Sequence, residues 1–254
     1  MSLNTRVVIL AAGKGKRMGA EVPKALVPIS GRPMIDYLVD SVVASGVDNR
    51  PIVVIGHGAE VIKEHLGERC EYALQREQLG TGHALQCALP LFEKADHVVV
   101  LNGDHAFVSA KTIRGLSETC LASNSPVTLM VVRTPDFEDW RSAFLDFGRI
   151  VINEKDEVEK IIEKRDATEE ELKICDVNPA YYCFRVDWLK ENISKLENKN
   201  SQGEFYITDL VGLAASQGYP IKVLLVENPL EGIGVNTPEQ LRMAEEAFQS
   251  NRQL

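Results

Sequence analysis

A glycine- and lysine-rich segment near the N-terminus has residue types that could bind phosphate groups. It reads Leu10-Ala11-Ala12-Gly13-Lys14-Gly15-Lys16-Arg17-Met18 and is followed shortly by Pro23-Lys24. Glycines that follow a strand let backbone amides approach a phosphate closely, and positive charge comes from Lys14, Lys16, Arg17 and Lys24. The segment lacks the GK[ST] of a P-loop, and Met18 occupies the last glycine position of GxGxxG. It predicts a phosphate cradle, although a plain turn with a solvated basic edge explains the same residues equally well.

A second segment has residue types that could bind a flat aromatic group. It reads Leu74-Gln75-Arg76-Glu77-Gln78-Leu79-Gly80-Thr81-Gly82-His83-Ala84. The Gln75 amide can donate and accept hydrogen bonds at once, and Gly80 leaves room for a planar ring. The alternative is a polar loop that leads into a helix. We expect His83, like His57, to be structural, because a single imidazole without a partner is seldom a ligand or a base.

Two polar side chains could hold a divalent cation. Asp104 ends the string Leu101-Asn102-Gly103-Asp104, just past the carboxyl end of an apolar strand, where open α/β sheets bind their ligands. Its carboxylate oxygens suit Mg²⁺ that bridges phosphates. Asn236, which ends Glu231-Gly232-Ile233-Gly234-Val235-Asn236, could supply an amide oxygen. However, a lone aspartate at a strand end is more often a turn or capping residue, and Asn236 could equally cap the last helix.

The elements that must position these residues alternate between strand and helix. Apolar β-branched runs predict strands at 7–12, 51–55 and 97–101. Apolar residues at helical spacing predict helices at 33–45, 59–66 and 82–89, the first of which is closed by Gly46. This alternation predicts an α/β fold, a Rossmann-like, mostly parallel mixed sheet with helices on both faces.

The second half of the chain has a different pattern. A strand is predicted at 126–132, and apolar runs at 149–153 and 158–163 flank a charged turn, which predicts an antiparallel hairpin and hence a smaller antiparallel lobe. Thr168-Glu169-Glu170-Glu171 has the spacing of a capping box and predicts a helix start. Thr237-Pro238-Glu239-Gln240 predicts a final helix from about 238 to 250.

Composition excludes several classes of partner. The chain has 254 residues, and its 28 basic and 37 acidic side chains give a net charge of -9. This balance gives no support for a nucleic-acid or anionic-membrane partner, so a local basic patch must hold any anionic ligand. The N-terminal apolar run is too short for a signal peptide or membrane span, and we expect a cytoplasmic protein. The five cysteines form no CxxC pair and no zinc-like cluster with histidine, and we expect reduced thiols.

Together, these segments resemble the motifs of the sugar-1-phosphate nucleotidyltransferases. The short spacing from Arg17 to Lys24 and the eleven residues 74–84 resemble most closely the uridyltransferase domain of the bifunctional UDP-N-acetylglucosamine pyrophosphorylases. The resemblance covers almost the entire chain. It implies one nucleotidyltransferase domain over 1–254, with a nucleotide-binding half at 1–105, a sugar-binding half at 106–236 and a C-terminal helix at 237–250.

The resemblance also implies a role for each candidate residue. The catalytic cations are Arg17 and Lys24, and the ligands of the cofactor Mg²⁺ are Asp104 and Asn236. The nucleotide-binding residues, of which Gln75 and Gly80 read uracil, are Leu10, Ala11, Ala12, Gly13, Gly15, Gln75, Gly80, Thr81 and Gly103. The sugar-binding residues are Asn102, Gly148, Glu163 and Asn178. The segment 204–209 also matches the family, and we interpret it as a helix entry that packs the fold.

The implied reaction joins UTP and N-acetylglucosamine 1-phosphate into UDP-N-acetylglucosamine and pyrophosphate, and no oligomer is required for the site. Three departures from the family weaken the sugar assignment. Asn102 replaces a common tyrosine, His105-Ala106 replaces Val-Pro, and Pro179-Ala180 follows Asn178 in place of Thr-Gly. Two alternatives therefore stay open: another sugar or alditol phosphate nucleotidyltransferase, and a non-catalytic regulatory module with the same fold.

Overall fold

The computed structural model describes residues 4–15, 18–19, 22–154 and 157–251. In the first half of the chain, strands and helices follow in the order β1 (Thr5–Leu10), β2 (Pro28–Ile29), β3 (Arg32–Pro33), α1 (Met34–Ser45), β4 (Ile52–Ile55), α2 (Ala59–Leu66), β5 (Glu71–Leu74), α3 (Thr81–Phe92) and β6 (His97–Asn102). Each predicted strand and helix of this half is confirmed, and Gly46 closes α1 in the left-handed conformation, with φ of 72°.

The second half contains α4 (Ala110–Leu121), β7 (Val127–Arg133), β8 (Gly148–Ile152), β9 (Val158–Ile162), β10 (Asp176–Asn178), β11 (Tyr182–Arg185), α5 (Val186–Asn192), α6 (Asp209–Ser216), β12 (Lys222–Leu225) and α7 (Pro238–Asn251). Short 3₁₀ turns lie between them, including Lys24–Leu26 in the first half and Pro229–Gly232 before α7. The predicted hairpin is confirmed, because β8 and β9 pair antiparallel with Arg149 opposite Ile162.

Within the described residues, the main sheet has ten strands in the order β5-β4-β1-β6-β11-β7-β10-β8-β9, with β12 paired to β7. The pairs from β5 to β6 are parallel, as is β12 with β7, and the pairs from β6 through β11 to β9 are antiparallel. Leu10 lies opposite both Val54 and Asn102, so the carboxyl ends of β1, β4 and β6 meet at one edge. The predicted α/β fold with an antiparallel lobe is confirmed.

The strands at the centre of the sheet, such as β4, are buried on both faces because their residues are apolar throughout. In β1, Val7 and Ile9 belong to one core cluster and Val8 to the other, as the alternation of side chains along a strand requires. Helices α1, α2 and α4 pack on the first face through residues such as Leu38, Ile62, Ile113 and Leu116. Helices α3, α5 and α6 pack on the second through residues such as Leu85, Phe92, Leu189 and Leu210. None of the described helices combines the length and apolarity needed to cross a lipid bilayer.

The capping box at Thr168 forms, but the helix predicted after it is wrong. The backbone N–H and hydroxyl of Thr168 donate to Glu171 Oε2, each at 2.8 Å, and Glu171 N–H donates to Thr168 Oγ1 at 3.2 Å. Only the 3₁₀ turn Glu171–Lys173 follows, and none of its residues is buried. A cap satisfies backbone groups locally, whereas a helix needs an apolar face packed on the core to persist, and this segment has none.

Candidate active site

A cleft of about 730 Å³ opens at the sheet edge where β1 and β6 end, a size typical of small-molecule sites. Its walls contain many of the predicted site residues, namely Leu10, Ala11, Ala12, Gly13, Lys24, Gln75, Gly80, Thr81, Asn102, Gly103 and Asp104. Two segments that sequence reasoning assigned to phosphate and to a planar ring therefore border one cavity. Arg17 and Lys16, which were also predicted to bind phosphate, lie outside the described residues.

Backbone hydrogen bonds hold this edge together. Gly103 N–H donates to Leu10 O at 2.9 Å, and Ala11 N–H donates to Val54 O at 2.9 Å, so the chain leaves three neighbouring strands in register. A Cβ at Gly103 would lie 3.1 Å from Leu10 O, so the missing side chain allows this close approach. Asp104 follows directly and is therefore aimed from a rigid strand end.

Lys24, Asp104 and Asn236 form an ion cluster beside the cleft. The Lys24 ammonium donates to Asp104 Oδ2 in a very short contact and to Asn236 Oδ1 at 2.7 Å. Val235 N–H donates to Asp104 O at 3.0 Å, which ties the segment before α7 to the end of β6. The two predicted metal ligands thus converge on a single cation, which here is the lysine ammonium.

The electrostatics of the cluster keep the Asp104 carboxylate ionised. Burial alone raises the pKa of Asp104, but attraction to Lys24 and His105 and the hydrogen bond from Lys24 outweigh it, so the pKa lies below its usual value. Burial lowers the pKa of His105 to about 4, with Asp104 opposing and Lys24 adding to this shift. His105 is therefore neutral near pH 7, and Lys24 supplies the charge that offsets Asp104.

His105, one of the departures from the family, is accommodated by its neighbours. Its Nε2 lies 3.5 Å from Asp104 Oδ1, and its ring packs edge-on against Tyr181 with centroids 5.0 Å apart. A Cβ at Gly234 would lie 2.7 Å from His105 Nε2, so a larger residue at 234 would displace the imidazole. The histidine therefore fills the space between Asp104 and the segment that carries Asn236.

The glycines of the phosphate-type loop have different roles. Gly15 has φ of +58°, and a Cβ there would lie 2.8 Å from Lys24 Cβ, so glycine lets the loop pack against the lysine stem. A Cβ at Gly13, which also lines the cleft, would meet no described atom within 4 Å. Gly15 is thus required by packing, whereas Gly13 faces open space in which a ligand could approach the backbone.

The loop that carries Gln75 and Gly80 is clamped by the segment 204–209. Gly82 N–H donates to Phe205 O and Phe205 N–H to Leu79 O, each at 2.8 Å. A Cβ at Gly80, whose φ is +111°, would lie 2.5 Å from Phe205 O. The close approach of the Phe205 backbone is therefore a reason for glycine at this position beside the predicted one, which is room for a flat base. Segment 204–209 packs and enters a helix as predicted, with α6 beginning at Asp209.

The Gln75 side chain is buried and its amide is hydrogen-bonded within the same loop. Its Nε2 donates to Gly80 O at 3.0 Å and contacts His83 Nδ1 at 3.1 Å. Thr81 begins α3, and its Oγ1 accepts from Ile207 N–H at 3.1 Å. Gln75 is therefore held rigidly at the cleft wall, whereas the Thr81 hydroxyl is engaged by the second half of the chain.

The predicted sugar residues Gly148, Glu163 and Asn178 come together at the ends of the antiparallel strands. Gly148 begins β8 opposite Asn178 at the end of β10, and Glu163 follows β9. A Cβ at Gly148 would lie 3.7 Å from Glu163 Oε1 and 2.9 Å from Ile161 Cγ2. Glu163 lines a second cavity, of about 450 Å³, whose walls also include Asp166, Asn200, Tyr206 and Asp209.

Glu163 and Asn178 differ in how free they are to bind a ligand. Burial raises the pKa of Glu163, with Thr208 opposing and the nearby carboxylates of Asp209 and Asp166 adding to the rise. Asn178 Nδ2 donates to Tyr182 Oη at 2.6 Å, and its Oδ1 accepts from Ala180 N–H at 3.0 Å. Part of the hydrogen-bonding capacity of Asn178 is therefore used within the protein.

The Pro179-Ala180 departure leaves a backbone signature. Ala180 has φ of +61°, in the left-handed region, which glycine adopts freely and which costs other residues about 1–2 kcal/mol. The bond from its N–H to Asn178 Oδ1 offsets part of this cost. The turn that orients Asn178 is therefore built with a strained alanine.

Sequence reasoning missed several residues at the cleft. Arg165 and Gln202, from the second half of the chain, line it, and Arg165 Nη1 donates to Gln202 Oε1 at 2.7 Å. Gln78 and Glu204 line it as well, and so does Lys14, which the sequence had placed among the phosphate-binding cations. Arg165 lies in the charged string 163–166, and its closeness in sequence to Glu163 is the one signal that could have identified it as a site residue.

The fully buried Arg149 was also missed as an organiser of this lobe. Its guanidinium donates to the carbonyls of Phe147, Phe144, Leu145 and Leu172 and stacks on Phe137 at 4.7 Å. Burial lowers its pKa. Arg149 thereby holds the turn that precedes Gly148.

The fold and the cleft define a nucleotidyltransferase, and comparison with known proteins agrees. Residues 7–203 match the family model of the MobA-like NTP transferase domain. The chain belongs to this family. A protein from Bacillus anthracis that is described as a glucose-1-phosphate thymidylyltransferase, and whose crystal structure contains a sucrose, has the same fold. The two structures have a TM-score of 0.74 and 21% sequence identity, and the match covers 96% of this chain and 94% of that one.

Two relatives matched by sequence are more similar to the chain than this solved structure is. The chain is 38% identical over 242 residues to the bifunctional protein GlmU of Shouchella clausii, covering 95% of this chain and 52% of that protein. It is 40% identical over 245 residues to GlmU of Exiguobacterium sibiricum, covering 96% and 53%. The resemblance to the sugar-1-phosphate nucleotidyltransferases is confirmed. The chain spans about half the length of these relatives.

Proposed function

We propose that the chain is a uridylyltransferase that makes UDP-N-acetylglucosamine and pyrophosphate from UTP and N-acetylglucosamine 1-phosphate. The observation that carries the proposal is the convergence of Lys24, Asp104 and Asn236 at the cleft bordered by Gln75 and Gly80. The similarity to GlmU over nearly the whole chain supports it. A non-catalytic module would have no need to keep this cluster beside a ligand-sized cleft.

Asp104 and Asn236 are proposed to hold Mg²⁺. Their oxygens already surround one cation, the Lys24 ammonium, and a carboxylate and an amide are oxygen donors of the kind that Mg²⁺ binds. When bound there, Mg²⁺ would supply positive charge that neutralises the phosphates. Two protein oxygens are few for Mg²⁺, which usually keeps several waters and is also bound by substrate phosphates, so we expect nucleotide to strengthen cation binding.

The reaction needs alignment and charge compensation more than acid–base chemistry. An oxygen of the sugar 1-phosphate forms a bond to the α-phosphorus of UTP, and the bond from that phosphorus to the oxygen bridging the β-phosphorus breaks, which releases pyrophosphate. The attacking oxygen is already anionic and requires no general base. Lys24 is proposed to offset charge on the phosphates, and Arg17 has the same proposed role.

The two substrates are proposed to be recognised by different halves of the chain. Gln75, with the backbone at Gly80, reads the base, and Asn102, Gly148, Glu163 and Asn178 contact the sugar. A carboxylate and an amide that pair with the acetamido N–H and ring hydroxyls disfavour a sugar that lacks them, by about 1–3 kcal/mol for each unpaired group.

The test is pyrophosphate release measured with UTP, dTTP, CTP, ATP and GTP against N-acetylglucosamine 1-phosphate, glucose 1-phosphate and an alditol phosphate. UTP with N-acetylglucosamine 1-phosphate should give the highest kcat/KM, roughly tenfold or more above glucose 1-phosphate. Asp104→Asn is the inactive control. A preference for glucose 1-phosphate or an alditol phosphate would refute the sugar assignment alone. No release from any pair would favour the non-catalytic alternative.

A further inference from the structure

The orientation of the Gln75 amide is determined by two acceptors in its own loop. The carbonyl of Gly80 can only accept, so the group 3.0 Å from it must be the Gln75 amide nitrogen and not its oxygen. The same nitrogen lies 3.1 Å from His83 Nδ1, and its second hydrogen points to that atom. Both N–H groups of the amide are therefore used within the protein.

This arrangement also determines the tautomer of His83. Nδ1 accepts from Gln75, so the ring proton is on Nε2, which lies 3.7 Å from Cys87 Sγ one helical turn further along α3. Within the part of the chain that the structure describes, Gln75 Oε1 accepts no hydrogen bond, and Gln75 lines the cleft. The amide thus offers the cleft an acceptor and withholds its donors.

We propose that His83 is a positioning residue that selects the nucleobase through Gln75. By accepting from the Gln75 amide, it keeps Oε1 as the group presented to the base. Uracil and thymine carry a hydrogen on N3 and can donate to Oε1, whereas cytosine has a lone pair on N3 and would set two acceptors against each other. This inference rests on the proposed nucleotidyl transfer from UTP, and it gives His83 a function beyond the structural role expected from sequence.

His83 and Gly80 contribute differently to this selection. Gly80 O is a backbone group and remains as one acceptor in any variant of residue 83. An amide that turns over gives up two acceptors in the wild type but only one without His83, so in the variant the amide nitrogen can more readily face a base, including cytosine N3. We expect a change equivalent to about one hydrogen bond, that is, a fall of about tenfold in the preference for UTP over CTP.

The experiment compares kcat/KM for UTP and CTP with N-acetylglucosamine 1-phosphate in four proteins. His83→Leu should lower the UTP/CTP ratio by about tenfold. His83→Asn, whose amide oxygen can accept near the position of Nδ1, should keep the ratio within about threefold of wild type. Gln86→Ala, an exposed change on the same helix, should leave the ratio unchanged. The ratio is the informative quantity because general damage to the fold lowers both values alike.

The possible results distinguish failure of the proposed function from failure of the role of His83. If wild type releases no pyrophosphate from UTP, the proposed function fails, and the role of His83 fails with it. If wild type prefers UTP and His83→Leu keeps the wild-type ratio, only the role of His83 is overturned, and equal loss in the leucine and asparagine variants overturns it too. Circular dichroism checks the fold, and His83→Met replaces the leucine variant if that variant does not fold.

Discussion

Replacing Lys24 with methionine is expected to change cation binding and turnover in opposite directions. The Lys24 ammonium occupies the position between Asp104 Oδ2 and Asn236 Oδ1 where a divalent cation would share both oxygens. A cation that binds there has to displace the ammonium, which can then move toward the phosphates. Methionine keeps much of the apolar stem but cannot compete for the two oxygens.

The size of the effect follows from the contact that is broken. A hydrogen bond between charged groups contributes about 1.5–3 kcal/mol, and each 1.4 kcal/mol is a factor of about ten in affinity. The side chains of Lys24 and Asp104 are 17% and 16% exposed, so water screens part of the attraction and the lower end applies. Lys24→Met should therefore bind the cation about tenfold more tightly, while kcat falls by about 10²- to 10³-fold because a preorganised charge is lost.

The binding assay uses the protein without nucleotide and follows free Mn²⁺ by electron paramagnetic resonance, with Mg²⁺ as competitor. Lys195→Met is the matched control, because Lys195 also donates to an asparagine, Asn192 at 2.9 Å, but lies on the exposed surface. It should change neither affinity nor rate. Equal or weaker Mn²⁺ binding by Lys24→Met would show that ammonium and cation do not share these oxygens.

Three further predictions concern other parts of the site. Gly80→Ala should lower the free energy of unfolding by about 2–4 kcal/mol, because the new Cβ would meet Phe205 O and φ at this position is positive. Gly13→Ala should change the free energy of unfolding by less than about 0.5 kcal/mol, and equal urea midpoints for the two variants would contradict this prediction. Burial raises the pKa of Glu163, so the folded protein binds a proton at this carboxylate more tightly than the unfolded chain does. The free energy of unfolding should therefore fall as the pH rises from the unfolded pKa of about 4.3 through the folded pKa. Glu163→Gln should remove that fall and be more stable than wild type at pH 7 in thermal melts, while losing selectivity for N-acetylglucosamine 1-phosphate. Arg165→Ala should raise the KM for UTP by up to about fivefold and leave kcat unchanged, because Arg165 is an exposed cation at the cleft. An unchanged KM would show that Arg165 does not bind the nucleotide.

The local elements were predictable where neighbouring residues alone decide them. The apolar run that forms β1 and the helical spacing of α1 with Gly46 at its end are properties of a few consecutive residues. The capping box at Thr168 shows where prediction from neighbouring residues fails. Its hydrogen bonds formed as predicted, but nothing in those four residues could tell that the following turn has no core to pack against.

Sequence by itself determined the kind of chemistry, through a basic glycine-rich loop, an amide-bearing loop and an aspartate at a strand end. Only the tertiary structure decided which of these groups meet. Lys24 contacts Asp104 and Asn236, which are 80 and 212 positions further along the chain. The backbone of Phe205, in the other half of the chain, leaves no room for a side chain at Gly80. Arg165 and the pairing of His83 with Gln75 likewise became visible only in three dimensions. The reason is physical: composition and periodicity record interactions between near neighbours, whereas hydrogen bonds and charges in a cleft depend on distances that the packing of the whole sheet sets.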